Sequence, residues 1–426
     1  MMKLINKLRS GQFDSLFDRL YTPAQTAAQK ERYCNAVTAF GKLFGELENL
    51  RLFSAPGRTE IGGNHTDHNH GRVLAGSVNL DVIAVVRCND SNLVQIKSEG
   101  YEMDTVDIND LSVHPEEQNK AAALIRGVLA RFKALGYQIG GFQAYTTSNV
   151  LKGSGLSSSA AFEVLVGTVL SECYNNGAAD AVEIAKIAQF AENKYFGKPC
   201  GLMDQMASSV GNIITIDFAD PEKPVIEKVD FDFAASGYAL CIVDTGGNHA
   251  DLTHEYAAIT DEMRAISNSL GCNYLRETTK QELLAKLPEL RKNHGDRAVL
   301  RAMHFLSDNE RVTKQVDALS NNDFERFKQL IIESGQSSFC YLQNVFSCSA
   351  PKEQGLSLAL CLAENLLAGK GAWRVHGGGF GGTTQNFVPR DKLEEFKTTI
   401  EQVFGEGSCH VLNIRPYGGV CVDKRV

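Results

Sequence analysis

Positive charge is the first thing this sequence is short of: 43 lysines and arginines stand against 51 aspartates and glutamates, a net charge of −8 over 426 residues. Phosphate neutralisation needs a basic face, so nucleic acid is excluded as the main partner. Small phosphorylated ligands stay open, because local amides and magnesium can hold them on an acidic protein. Long apolar runs are also missing. Stretches such as Val82-Ile83-Ala84-Val85-Val86 are strand-sized, far short of a membrane span, and no membrane partner is expected. Paired cysteines are missing as well: the 11 cysteines run from Cys34 to Cys421 with no C-x-x-C spacing and an odd total. That argues against a disulfide framework and against a thiolate zinc site. The opening Met1-Met2-Lys3-Leu4-Ile5-Asn6-Lys7 has no apolar signal region. Together these features read as a reduced, cytoplasmic protein. There is no internal repeat and no low-complexity segment.

What is present is ordinary globular material, 43% hydrophobic and 22% charged. The length suggests two or three domains, large enough to bury about three-quarters of the unfolded surface. Residues 1–47 carry Leu4, Leu8, Phe13, Leu16, Phe17 and Leu20 on helical spacing, which reads as a helical extension packed on the main body. Val- and Ile-rich strands are expected at 51–55, 78–87, 93–98 and 139–147, with a helix over 117–135 that stops before Gly136. Residues 156–210 are helical in pattern, with Ala160, Val164, Leu165 and Thr168 on one stripe and Ile184, Ile187, Ala188 and Ala191 on another. Strands at 211–217 and 238–244, helices between 251 and 368, and short strands near 373–376, 384–388, 409–413 and 417–422 complete the chain. This mixed order favours α+β over a doubly wound sheet. The Pro/Asp-rich link from Asp217 to Pro224 divides residues 48–220 from 221–426.

Four segments carry chemistry. Leu151-Lys152-Gly153-Ser154-Gly155-Leu156-Ser157-Ser158-Ser159-Ala160-Ala161 follows a strand and opens a helix. Gly153 and Gly155 allow a sharp turn and close approach, and the helix start offers unpaired amides to a phosphate. A Gly/Ser cap of a buried helix is the bland alternative, which the three serines weigh against. The lysine of a Walker A loop is absent. Ala55-Pro56-Gly57-Arg58-Thr59-Glu60-Ile61-Gly62-Gly63-Asn64-His65-Thr66-Asp67-His68-Asn69-His70-Gly71 packs polar groups between two strands. It can be read as a histidine metal cluster, as a solvated loop, or as a hydrogen-bonding rim for a polyhydroxylated ligand, and the rim fits its mix of donors and acceptors best. In Ala191-Glu192-Asn193-Lys194-Tyr195-Phe196-Gly197-Lys198-Pro199-Cys200-Gly201-Leu202-Met203-Asp204-Gln205, Asp204 could simply cap a helix and Glu192 could sit on a solvated face. Val375-His376-Gly377-Gly378-Gly379-Phe380-Gly381-Gly382 implies close backbone approach.

Taken together, and in this order, the four segments resemble the GHMP kinases, and within them the galactokinases. The resemblance covers residues 51 to about 388. It implies two α+β domains with the active site in the cleft between them, and an ATP-dependent sugar 1-kinase acting on galactose. By the same resemblance Gly153, Ser154, Gly155, Leu156, Ser157, Ser158 and Ser159 hold the ATP phosphates, Ser98 touches the nucleotide, and Ser159 and Glu192 coordinate Mg²⁺. Asp204 is then the base toward the anomeric hydroxyl and Arg58 its cationic neighbour. Asn64, His65, Thr66, Asp67 and Tyr256 face the sugar. ATP and a monosaccharide are the implied partners, and a monomer is the expected state.

The chain departs from the family pattern in two places. Galactokinases carry GEHTD followed by tyrosine, where this chain has Gly63-Asn64-His65-Thr66-Asp67-His68. Their R-V-N-L is here Arg58-Thr59-Glu60-Ile61. The first departure bears on which sugar is held, and galacturonate, L-arabinose and N-acetylgalactosamine are alternatives to galactose. A non-catalytic sugar sensor is a further alternative, against which stands the complete set of Arg58, Ser159, Glu192 and Asp204.

Overall fold

Three helices, α1 (Met2–Arg9), α2 (Asp14–Leu20) and α3 (Thr26–Phe44), open the chain. The computed structural model describes residues 1–46, 48–151, 155–198, 200–247 and 252–425. In it these helices lie against strands β1 (Arg51–Gly62) and β2 (Arg72–Cys88). Then follow β3 (Leu93–Ser98), β4 (Met103–Asp107), α4 (Ala121–Ala134), β5 (Phe142–Ser148), α5 (Ser158–Tyr174), α6 (Ala181–Ala191), α7 (Met203–Val210), β6 (Ile213–Asp217) and β7 (Val225–Val229).

Alternation explains why β2 is apolar on both sides. Ile83 and Val85 face Leu8, Phe17 and Phe40 of the helical layer, whereas Val82, Ala84 and Val86 face the core under α4, α5 and α6. The N-terminal helices therefore cover a sheet face that would otherwise present apolar side chains to water.

The second half contains β8 (Tyr238–Asp244), α8 (Thr253–Leu270), α9 (Lys280–Ala285), α10 (Leu287–Ser320, broken at Gly295), α11 (Phe324–Ser337) and α12 (Gly355–Leu367). It ends with β9 (Ala372–His376), β10 (Thr383–Pro389), α13 (Leu393–Phe404), β11 (Cys409–Leu412) and β12 (Val420–Cys421). One sheet runs β12-β1-β2-β5-β3-β4, with β6 on β2 and β7 on β6; the other runs β11-β8-β10-β9. Only the β3–β5 pair is parallel among the described strands. The fold is α+β, as expected. The last strand returns to pair with β1, Phe53 opposite Cys421.

The structure corrects the strand boundaries. β1 runs to Gly62 instead of ending at 55, and β2 begins at Arg72 instead of 78. Register shifts between Pro56 and Arg58 and between Glu60 and Gly62 carry the strand past Pro56 and Gly57. β4 and β7 add to the expected strands, and the helix expected from 117 starts at Ala121, after a 3₁₀ turn at Pro115–Glu117.

One buried carboxylate ties these layers together. Asp81 on β2 is fully buried and accepts from Tyr21 Oη at 2.5 Å, Arg32 Nη1 at 2.7 Å, Arg415 Nη1 at 3.0 Å and the Ser54 hydroxyl. Burial alone would raise its pKa, but the charges of Arg32 and Arg415 hold it below the ordinary value of 3.8. Asp81→Ala is expected to cost about 3–5 kcal/mol in urea unfolding, since the buried Arg415 and the partly buried Arg32 lose their counter-charge. A depressed folded-state pKa adds stability above pH 3.8 and loses it as pH falls below that value. The variant's stability should therefore fall less steeply in acid than that of the wild type.

Candidate active site

The site is assembled where β1 meets the loop that enters α5. A Cβ on Gly57 would lie 2.7 Å from the Leu156 carbonyl oxygen and 3.0 Å from Val150 Cγ1, so only glycine permits this approach. The Arg58 N–H donates to that same Leu156 oxygen at 3.1 Å, and the Arg58 guanidinium donates to the Gly155 carbonyl. Gly153 and Ser154 lie outside the described residues. Ser157 adopts a left-handed conformation (φ 57°) immediately before α5, which Ser158 begins.

That stitching brings three side chains together. Arg58, only 6% exposed, donates to Asp204 Oδ1 through Nε at 2.9 Å, with Nη2 at 2.7 Å. The Ser157 hydroxyl donates to Asp204 Oδ2. Asp204 lies in the first turn of α7 but makes no capping bond, so its carboxylate is committed to the cleft. Burial pushes its pKa up, and Arg58 and Ser157 more than offset this, leaving the carboxyl below its ordinary value. Asp204 is ionised at neutral pH and faces a cavity of about 570 Å³ that Arg58, Glu60, His65, Asp67 and Tyr256 also line.

A second cavity, about 900 Å³, lies beside it. Ser158 and Ser159 line both, so the two join at the N-terminus of the 17-residue helix α5. Unpaired amides and the helix dipole favour an anion there. Ser98 lines the second cavity, and its Oγ accepts from Thr146 Oγ1 at 2.9 Å.

Ser159 Oγ donates to Glu192 Oε1 at 3.2 Å, and Lys198 Nζ is 3.4 Å from the same oxygen. Glu192 is buried, not solvated, and starts a single π-helical turn, Glu192–Phe196. A hydroxyl and a carboxylate are hard oxygen donors suited to Mg²⁺. Among the described residues no three metal-binding side chains cluster.

The signature residues divide. His65 lines the cavity and its Nε2–H donates to Gly378 O at 2.9 Å. Burial, reinforced by His68, pushes its pKa down to about 4, so it is neutral at physiological pH. Asp67 faces the same cavity, held so close to Gly201 that a Cβ there would lie 2.7 Å from Oδ2. Tyr256 donates to Gly379 O at 2.8 Å, and burial pushes its phenol up to about 12.

Asn64 and Thr66 are turned away from the cavity, which corrects the expectation that both face a sugar. Thr66 is fully buried, and its hydroxyl is shared between Gly63 O at 2.8 Å and Arg72 O at 2.6 Å, closing the turn. Asn64 is also fully buried. Its amide donates to Glu60 Oε1 at 3.0 Å and Gly377 O at 2.7 Å, and accepts from Ser338 at 3.1 Å and Asn344 at 2.9 Å. All four of its hydrogen-bonding positions are used.

Other site residues escaped the sequence reading. Lys198 lies within a quoted segment but has no distinguishing neighbour in sequence. Gln205 Nε2 donates to Glu192 Oε2 at 2.7 Å and to Glu163 Oε2 at 3.3 Å, steadying the metal-suited carboxylate. Glu163 is fully buried, and burial followed by the Glu192 charge raises its pKa well above the ordinary value. The i, i+4 spacing of Ser159 and Glu163 on α5 is the only signal that could have found it.

Residues 123–212 match the GHMP kinases N-terminal domain, and residues 38–88 match the galactokinase galactose-binding signature. The chain is 34% identical to a galactokinase of Thermotoga petrophila over 77% of this chain and 86% of that one. It is 29% identical to a galactokinase of Streptomyces coelicolor, covering 86% and 91% of the two chains. In fold it is similar to the crystal structure of Lactococcus lactis galactokinase complexed with galactose, with a TM-score of 0.78 at 24% identity over 91% of this chain and 99% of that one.

The close approach at Gly57 is directly testable. Gly57→Ala forces strand and loop apart, and is expected to cost about 1–3 kcal/mol in chemical denaturation. A variant as stable as the wild type would mean that the loop is not packed on β1 as described.

Proposed function

The chain belongs to the galactokinases, within the GHMP kinases, and we propose that it transfers the γ-phosphoryl group of ATP to the anomeric hydroxyl of galactose, giving galactose 1-phosphate and ADP. The observation that carries this reading is the Arg58–Asp204 pair, an ionised carboxylate and a fixed cation in the wall of the smaller of two cavities that meet at Ser158 and Ser159. The smaller cavity takes the sugar and the larger takes the nucleotide, with the phosphates over the N-terminus of α5.

Phosphoryl transfer passes through a loose transition state, so alignment and charge compensation do most of the work. Asp204 accepts the proton of the sugar O1–H while O1 bonds to the γ-phosphorus and the bond to the β,γ-bridging oxygen breaks. A carboxylate held below its ordinary pKa is too weak a base to deprotonate the hydroxyl beforehand, so the proton moves late, as the O–P bond forms. Arg58 holds Asp204 in place and offsets charge on the transferring group. Tyr256, His65 and Asp67 orient the sugar.

Ser159 and Glu192 are the residues to hold Mg²⁺, which when bound neutralises charge on the β- and γ-phosphates. Lys198 adds a second cation on that side. The requirement for ATP supports a cytoplasmic location.

ADP release should be measured across galactose, galacturonate, L-arabinose, N-acetylgalactosamine and glucose. Galactose is expected to lead in kcat/KM; silence across the panel from folded, ATP-binding protein would overturn the reading. Asp204→Asn should lower kcat by about 10²–10⁴-fold while leaving the sugar Kd within a few-fold. A variant that keeps a tenth of the wild-type kcat would remove Asp204 from the base role. Glu192→Gln should raise the Mg²⁺ concentration needed for half-maximal rate, without changing the galactose KM at saturating metal.

A further inference from the structure

Glu60 is a carboxylate in the wall of the sugar cavity to which the reaction above gives no task. Its Oε1 is fully engaged, accepting from Arg374 Nη2 at 2.8 Å and from Asn64 Nδ2 at 3.0 Å. Its Oε2 takes no hydrogen bond from any described residue, and it is not among the sealed polar atoms that lack partners. The side chain is 6% exposed, and that exposure is to the cavity. Glu60 is thus anchored through one oxygen and offers the other.

Its position sets which part of a ligand it meets. Arg58 and Glu60 are two residues apart on β1, a step of roughly 7 Å along a strand. With Arg58 on Asp204 at the reacting end, Glu60 lies beside hydroxyls other than the anomeric one. The two departures from the family pattern are moreover an exchange. The pattern has asparagine at position 60 and glutamate at 64; this chain has Glu60 and Asn64, hydrogen-bonded to each other. In this chain the carboxylate stands at the position that lines the cavity and the amide at the enclosed one.

Resting on the galactokinase reading, we propose that Glu60 is a specificity-determining residue of the sugar cavity. Its Oε2 accepts a hydrogen bond from one non-anomeric hydroxyl of the sugar, and its charge, with that of Asp67 in the same cavity, turns away sugars that carry a carboxylate. Arg374 and Asn64 aim it. Burial lifts the Glu60 carboxyl to about 7, with Arg374 and Arg58 opposing, so the test is run at pH 8, where it is mostly ionised.

The experiment compares kcat/KM of wild type, Glu60→Gln and Glu60→Asp on galactose, its 2-, 3-, 4- and 6-deoxy analogues, and galacturonate. In the wild type one deoxy sugar is expected to lose about 10–100-fold, the scale of a hydrogen bond to a charged acceptor. In Glu60→Gln that loss should shrink by about tenfold for the same sugar alone. Galacturonate should gain about tenfold relative to galactose, and the ATP KM should stay within about twofold. Glu60→Asp keeps the charge for Arg374 but withdraws Oε2; it should reproduce the loss at the same hydroxyl, and it carries the test if the glutamine variant does not fold. Deoxy penalties that are identical in wild type and variants, or parallel rises in the ATP and galactose KM, would overturn the proposal and leave Glu60 a structural anchor. Wild-type turnover of galactose tests the underlying reading separately; without it both fall.

Discussion

The buried second half of β1 is the constraint on which the site depends. Strand alternation directs Arg58 and Glu60 into the cavity wall and leaves Thr59 between them on the opposite face. There Thr59 Oγ1 accepts from Gln385 Nε2 at 2.7 Å and meets His376 Nε2 at 3.1 Å. A slip of one residue would turn both charges into the protein and present a threonine to the ligand. The slip is blocked from both sides. Gly57 admits the α5 loop at one position only, and Arg374, reaching across from β9, engages the Ile61 carbonyl at 2.7 Å together with Glu60. The strand belongs to one sheet and its counter-charge to the other, so the cavity's geometry is set by how the two sheets meet.

Two carboxylates on this cavity are driven in opposite directions by the same physics. Asp204 has two guanidinium contacts and a hydroxyl donor, and these outweigh burial; Glu60 has one engaged oxygen, and burial wins. The proposed base is thereby kept ionised, at the cost of basicity, while Glu60 titrates near neutrality. Separated pKa values in one cavity let neighbouring acids do different work. The buried pairs need not add net stability, because desolvation offsets much of their attraction. Their effect is to make each side chain's position depend on its partner's.

Much of this was legible in the sequence, because glycine positions and residue order survive the loss of three-dimensional context. The phosphate-suited loop and the α+β order could be read from residue types and spacing, whereas the roles given to Asp204, Arg58 and Glu192 came from the resemblance of the four segments to the galactokinases. The extent of β1 could not, because Pro56, Gly57 and a run of polar residues look like a loop until bulges and cross-sheet partners are known. Asn64 was misread for a related reason. Its amide chemistry suits a sugar, but its partners come from residues 338, 344 and 377, far off in sequence. Gln205 and Glu163 act through neighbours, and such indirect roles leave no spacing signature of their own.

The exchange of Glu and Asn between positions 60 and 64 shows why each residue needs the other. Position 64 is enclosed by acceptors: Asp308 Oδ2 takes its N–H at 2.9 Å, Glu60 Oε1 lies at 3.0 Å from its amide nitrogen, and the Gly377 carbonyl at 2.7 Å. A carboxylate there, with Glu60 in place, would put two anions in contact beside Asp308 in a site closed to water, where like charges repel strongly. An amide supplies the two N–H donors that these oxygens require, and still accepts from Ser338 and Asn344. Conversely, an asparagine at 60 would leave Arg374, fully buried, without its carboxylate. The two positions therefore form one unit, and either residue set back alone to the family pattern leaves a buried charge uncompensated. The second departure in the signature is the counterpart that makes the first one tolerable.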